Sequence, residues 1–168
     1  MFEQGKGHEA LRRGRLSLDG ASYFLTLCVE SQQSGLEHES IASALLEQAS
    51  DPACGWALRT MVVMPNHAHL VIGLQPGRTL AEAVRLFKGR TSVVLRKKDR
   101  KWQRGYYDHR LRVQDDLLPI FLYVFLNPYR AGLVTAGQSW PGYNCAPSDW
   151  QWFGSLTDHS CPLPEWLA

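Results

Sequence analysis

Hydrophobic and polar positions alternate most clearly in three places along this chain. Ser22-Tyr-Phe-Leu-Thr-Leu-Cys-Val-Glu30 is rich in β-branched and aromatic residues and predicts a first strand. Trp56–Val63 predicts a second, and His67–Leu74 a third, with Met64-Pro65-Asn66 reversing the chain between them. Two stretches carry helical spacing instead. Ile41, Leu45 and Leu46 predict a helix over 41–48, ended by Asp51-Pro52 and Gly55. Thr79 can cap a longer helix running to about Lys98, with Leu80, Val84, Phe87, Val94 and Leu95 on its apolar side. Gly105–Val113 predicts a fourth strand. The order strand, helix, strand, strand, helix, strand is the split βαβ arrangement of α+β, ferredoxin-like folds: a four-stranded antiparallel sheet with both helices on one face. The other face is then open for a site.

A further helix follows. Asp115 or Asp116 can cap it, Leu117–Leu126 is strongly apolar, and Pro119 falls in the first turn, where a missing N–H costs little. Tyr123 and Asn127 are four residues apart on this helix and so share a face. The first twenty residues predict a loose polar arm, and 135–168 a tail packed on the body by Trp140, Trp150 and Trp152. One domain accounts for all 168 residues.

Composition narrows the class. A hydrophobic fraction of 45% and a charged fraction of 20% are those of a globular protein rather than a disordered one. No apolar run approaches a membrane span, and no partner membrane is expected. Cys28, Cys54, Cys145 and Cys161 are scattered without a C-x-x-C pair, which speaks against a zinc ribbon or disulfide scaffold and fits a reducing, cytoplasmic setting. The net charge of +2 conceals an asymmetry. Twelve Lys and Arg against three acids lie between Arg78 and Arg112, so the rest of the chain is net acidic. A basic segment on an acidic body predicts a polyanion site. Aromatic residues interleaved with the cations suit unstacked bases and phosphates. The candidate DNA-binding residues are therefore Arg85, Lys88, Arg96, Lys97, Lys98, Lys101, Trp102, Arg104, Tyr106, Tyr107, His109 and Arg110.

Chemistry concentrates in Met64-Pro-Asn-His-Ala-His-Leu70. Side chains at i and i+2 of a strand point the same way, so His67 and His69 project together from the face opposite Leu70 and Ile72. Two imidazoles and the Asn127 oxygen could hold Mg²⁺ or Mn²⁺, leaving positions for phosphate oxygens. Such a cation stabilises the charge that builds on a phosphodiester, and the Tyr123 hydroxyl is then placed as nucleophile. Tyr106, Tyr107 and Tyr129 are rival nucleophiles. A hairpin-binding protein that does not cut and a water-using metal hydrolase are the competing functions.

These segments resemble the HUH-type single-tyrosine transposases, specifically the REP-associated tyrosine transposases. The resemblance runs through Gly20-Ala-Ser-Tyr-Phe24, Met64-Pro-Asn-His-Ala-His69 and Phe87-Lys-Gly89. It continues through Trp102-Gln-Arg-Gly-Tyr-Tyr-Asp-His109, Tyr123 to Val134 with Asn127-Pro128 inside it, and Ser139-Trp-Pro-Gly-Tyr143. It implies His67 and His69 as metal ligands, Asn127 as the third and Tyr123 as nucleophile. It also implies cleavage of single-stranded DNA beside palindromic hairpins (bacterial repetitive extragenic palindromes), through a 5′-phosphotyrosine with a free 3′-hydroxyl. Monomers are the expected form, with homodimers known among related transposases.

Overall fold

The computed structural model describes residues 20–157; the N-terminal arm and the His159/Cys161 pair lie outside them. Five strands form one antiparallel sheet: β1 (Ser22–Cys28), β2 (Trp56–Val63), β3 (His67–Leu74), β4 (Tyr107–Leu111) and β5 (Tyr143–Cys145), in spatial order β4-β1-β3-β2-β5. The first four strands keep the ferredoxin-like order. The fifth is not foreseen by the alternation pattern, because three residues of the tail suffice to pair with β2.

Three helices of more than two turns pack on this sheet: α1 (Glu39–Ser50), α2 (Leu80–Arg96) and α3 (Leu118–Arg130). A short α4 (Pro147–Phe153) closes the described chain apart from a final turn. The strands are two-sided. Tyr23, Leu25 and Leu27 of β1, with Leu70, Ile72 and Leu74 of β3, pack against α1 and α2. The alternate residues Val62 and Val71 pack against Phe121, Val124 and Phe125 of α3 and Phe153 of α4. The face predicted to be open is thus covered over its β2–β3 half, and the site forms where that cover meets the sheet.

Local chemistry explains the boundaries. Thr79 caps α2, as the sequence predicts, and Glu82 completes a reciprocal capping box with it; the helix stops at Arg96, two residues early. At α3 the Asp116 carboxylate accepts the Leu118 N–H at 3.0 Å, and Pro119 sits in the first turn, where no intrahelical partner is lost. The helix runs on beyond the apolar stretch 117–126, through Asn127 and Pro128 to Arg130. Proline cannot donate to the carbonyl one turn back, but buried Phe125, Leu126 and Tyr129 hold this last stretch in the second core. Phe121, 5.0 Å from Trp152 and 5.5 Å from Phe153, anchors the other end. Each such buried ring contributes about 2 kcal/mol, so the tail helix helps to seat the helix that carries Tyr123.

Candidate active site

The histidines are positioned by a tied hairpin. The Met64 N–H donates to the His67 carbonyl at 2.8 Å, closing the turn around Pro65 and Asn66. The Val29 and Leu36 N–H groups donate to the Asn66 and Pro65 carbonyls, which bind that turn to the end of β1 and the loop beyond it. β3 therefore starts at a fixed point, with His67 opposite Cys28 and His69 opposite Thr26.

Both imidazoles are held through Nδ1. The Asn66 Oδ1 lies 2.6 Å from His67 Nδ1, and a carbonyl oxygen can only accept, so His67 carries its proton there and presents a lone pair at Nε2. His69 Nδ1 lies 2.9 Å from Thr26 Oγ1, which can donate or accept. The two Nε2 atoms face each other at 3.1 Å. His69, 5% exposed, is also stacked on Phe24 with ring centroids 5.4 Å apart. Burial lowers the pKa of both rings, and for His69 the neighbouring His67 adds to the effect, bringing it to about 3. Both are neutral at pH 7.

Neutral imidazoles with oriented Nδ1 atoms are suited to bind a cation. Two Nε2 atoms 3.1 Å apart match the roughly 3.0 Å edge of an octahedral shell whose ligands lie about 2.1 Å out. When His69 holds its proton at Nδ1 against Thr26, both lone pairs face one point. The pair fits a divalent ion. Among the described residues no group of three His, Cys, Asp or Glu side chains converges, so a third ligand drawn from these residues would be an amide or a similar oxygen.

Tyr123 is beside this pair. Its hydroxyl lies 3.4 Å from His69 Nε2, and its ring stands edge-on to His69 and to Phe24, with centroids 5.1 and 5.9 Å away. It is 41% exposed, so a phosphate can reach it from solvent. Asn127 is half-buried one helical turn further on. The rival tyrosines are elsewhere. Tyr129 is buried and donates to the Gln138 carbonyl, Tyr106 packs against the first core, and Tyr107 lies on edge strand β4.

The basic segment does not form one patch. Arg85, Arg96, Lys101, Arg104 and Arg110 line a groove of about 1340 Å³ between α2 and residues 100–110, on the α2 side of the sheet. Lys97 and Lys98 are exposed on the turn after α2, outside this groove. Tyr107 and His109 are exposed on the opposite side, since they alternate with Asp108 and Arg110 along β4. Two predicted contacts are redirected. Trp102 is 8% exposed: Val29 bridges to it, its ring packs near Phe87, and its Nε1–H donates to Thr91 Oγ1 at 2.8 Å, so it belongs to the core and cannot stack on a base. Lys88 donates to the Gln103 and Gly105 carbonyls at 2.8 and 2.7 Å, clamping the groove wall to α2, and burial pushes its pKa down to about 8.

The buried pair makes acid stability a measurable property. In the unfolded chain each histidine titrates near 6.5; in the folded chain both resist protonation. Between about pH 6.5 and 3 the unfolded state binds more protons, so stability falls as pH falls. For His69 the loss between neutral pH and pH 4.5 is roughly 2–3 kcal/mol. Urea midpoints measured with chelator across this range should drop accordingly, and His69→Gln should flatten the slope; an equal slope in that variant would contradict the assignment.

Comparison with known families gives the class of this protein: it is a transposase, a DNA-cleaving enzyme. The chain belongs to the IS200-like transposase family: residues 18–113, more than half of its length, match the family described as "Transposase IS200 like". That match includes His67 and His69; Tyr123 and Asn127 lie beyond it. The fold matches the solved structure of a REP-associated tyrosine transposase bound to a REP hairpin, at 22% identity over 89% of this chain and 95% of that one, with a TM-score of 0.65. A protein of Deinococcus radiodurans R1 described as a transposase is similar at 18% identity over 80% of this chain and 100% of that one, with a TM-score of 0.49. No curated protein matches the chain significantly in sequence. No helix among the described residues is long and apolar enough to cross a membrane.

Proposed function

We propose that this transposase cleaves, and rejoins, single-stranded DNA beside palindromic hairpins through Tyr123, with a divalent cation such as Mg²⁺ or Mn²⁺ held by His67, His69 and Asn127. The observation that carries the reading is the convergence of the Tyr123 hydroxyl and the His67 Nε2 on His69 Nε2, at 3.4 and 3.1 Å. The bound cation would neutralise charge on the scissile phosphate and favour the phenolate. Tyr123 supplies the nucleophile. Its oxygen forms a bond to phosphorus, the bond from phosphorus to the 3′-oxygen breaks, the phenol proton passes to solvent, and the 3′-oxygen leaves protonated. A 5′-phosphotyrosine and a free 3′-hydroxyl result, so rejoining by that hydroxyl needs no outside energy.

The proposed working unit is a monomer acting in the cytoplasm of a bacterial cell. A hairpin is the favoured DNA because the relative of like fold is bound to one, and because the groove presents cations along α2. An oligonucleotide hairpin with a labelled single-stranded flank tests the proposal: divalent-dependent cleavage with label transferred to protein supports it. Binding without cutting would favour a hairpin-binding protein, and cleavage without adduct a water-using hydrolase.

The groove predicts salt behaviour. Replacing Arg85, Arg96 and Arg104 by Ala should weaken hairpin binding and reduce the slope of log affinity against log salt by about 2–3. Replacing Lys97 and Lys98 should change it less. Anisotropy titrations at several salt concentrations read both, and an unchanged slope in the triple variant would remove the groove from DNA binding.

A further inference from the structure

The groove and the Tyr123 site lie on opposite sides of the sheet, and β4 is the strand they share. Asp108 and Arg110 line the groove. Tyr107 and His109, one residue out of phase, face the other way, with Tyr107 opposite Thr26 and His109 opposite Phe24. Both partners touch the site: Thr26 bonds His69 and Phe24 stacks on it. Tyr107, Thr26 and His69 thus form one row across three strands. At about 4.8 Å per strand the Tyr107 backbone is roughly 10 Å from that of His69, a gap that the tyrosine side chain and one nucleotide can fill.

Tyr107 is 57% exposed. The α3 helix packs mainly over β2 and β3, with Leu111, at the end of β4 away from Tyr107, joining that core, and no strand among the described residues pairs with the outer side of β4. An exposed ring on an edge strand needs a reason. Edges are guarded against unwanted pairing by charge or proline, and Arg110 already supplies charge there. A flat, accessible ring beside a nucleic-acid site suits base stacking.

We propose that single-stranded DNA leaving the groove crosses the edge of β4 and stacks a base on Tyr107, which sets the nucleotide presented to Tyr123. This rests on the reading of the chain as acting beside a DNA hairpin. β4 then works as a ridge with two sides: one holds the hairpin through phosphate contacts, the other registers the flank. Tyr107 is a specificity residue here, not a nucleophile.

The test uses the full chain and hairpin oligonucleotides bearing 2-aminopurine at successive flank positions, without divalent cation. One position should change in fluorescence on binding to the wild type and to Tyr107→Phe, which keeps the ring, and fail to change with Tyr107→Ala. Tyr107→Ala should bind the flanked hairpin about tenfold more weakly and the bare hairpin equally well, which also shows that the variant is folded. The proposal is overturned if no flank position depends on Tyr107, or if Tyr107→Ala loses affinity for flanked and bare hairpins alike. These readings need no cleavage. Loss of the nuclease reading shows instead as a wild type that binds flanked hairpins and never forms an adduct.

Discussion

Tyr123→Phe is expected to abolish the covalent protein–DNA adduct and lower cleavage by about 10³-fold or more, with hairpin affinity within about twofold of wild type. The substitution removes one oxygen and keeps the ring, so the edge-on contacts with His69 and Phe24 survive. Tyr123 is partly exposed, and the packing of α3 rests instead on Phe121, Val124 and Phe125. The groove cations are on the other side of the sheet and do not touch this helix. Binding and chemistry should therefore separate cleanly. Covalent attachment of Tyr123→Phe would show that another residue attacks, and a parallel loss of affinity would mean that the hydroxyl chiefly holds DNA.

The second large effect concerns the histidines. His67→Ala should eliminate divalent-dependent cleavage, by about 10²–10³-fold or more, while hairpin binding persists. His67 is the cleaner choice of the two. It is half-buried at the start of β3, whereas His69 is buried against Phe24 and bonded to Thr26, so its truncation to Ala also opens a cavity. The expected signature is a flat response of His67→Ala to added Mg²⁺ or Mn²⁺, measured under conditions that saturate the wild type. Undiminished cutting would contradict the role of the pair in holding a cation.

Much of this site was legible in the sequence because it rests on short-range periodicity. Alternation in His67–Leu74 sets the two histidines opposite Leu70 and Ile72, and the structure keeps that division. The i, i+4 spacing of Tyr123 and Asn127 survives because α3 continues through Pro128. What escaped depends on long-range packing. β5 is three residues long and gains its identity only by pairing with β2. Trp102 lies among cations in sequence, yet the bridge to Val29 turns it into the core. Lys88 is a cation whose ammonium is needed by two carbonyls. The basic run appears continuous along the chain, but folding divides it: Arg85, Arg96, Lys101, Arg104 and Arg110 line the groove, Lys97 and Lys98 stand on the turn outside it, and Tyr107 and His109 face the other side of the sheet. The alternation of Tyr107 and His109 with Asp108 and Arg110 was available as a signal of that division.

The most direct measurement is peptide mass spectrometry of the wild-type chain incubated with a flanked hairpin, with and without Mg²⁺ or Mn²⁺. The account predicts a 5′-linked nucleotide on Tyr123, formed only when the divalent ion is present. Cleavage without any adduct, or an adduct on Tyr106, Tyr107 or Tyr129, would contradict it.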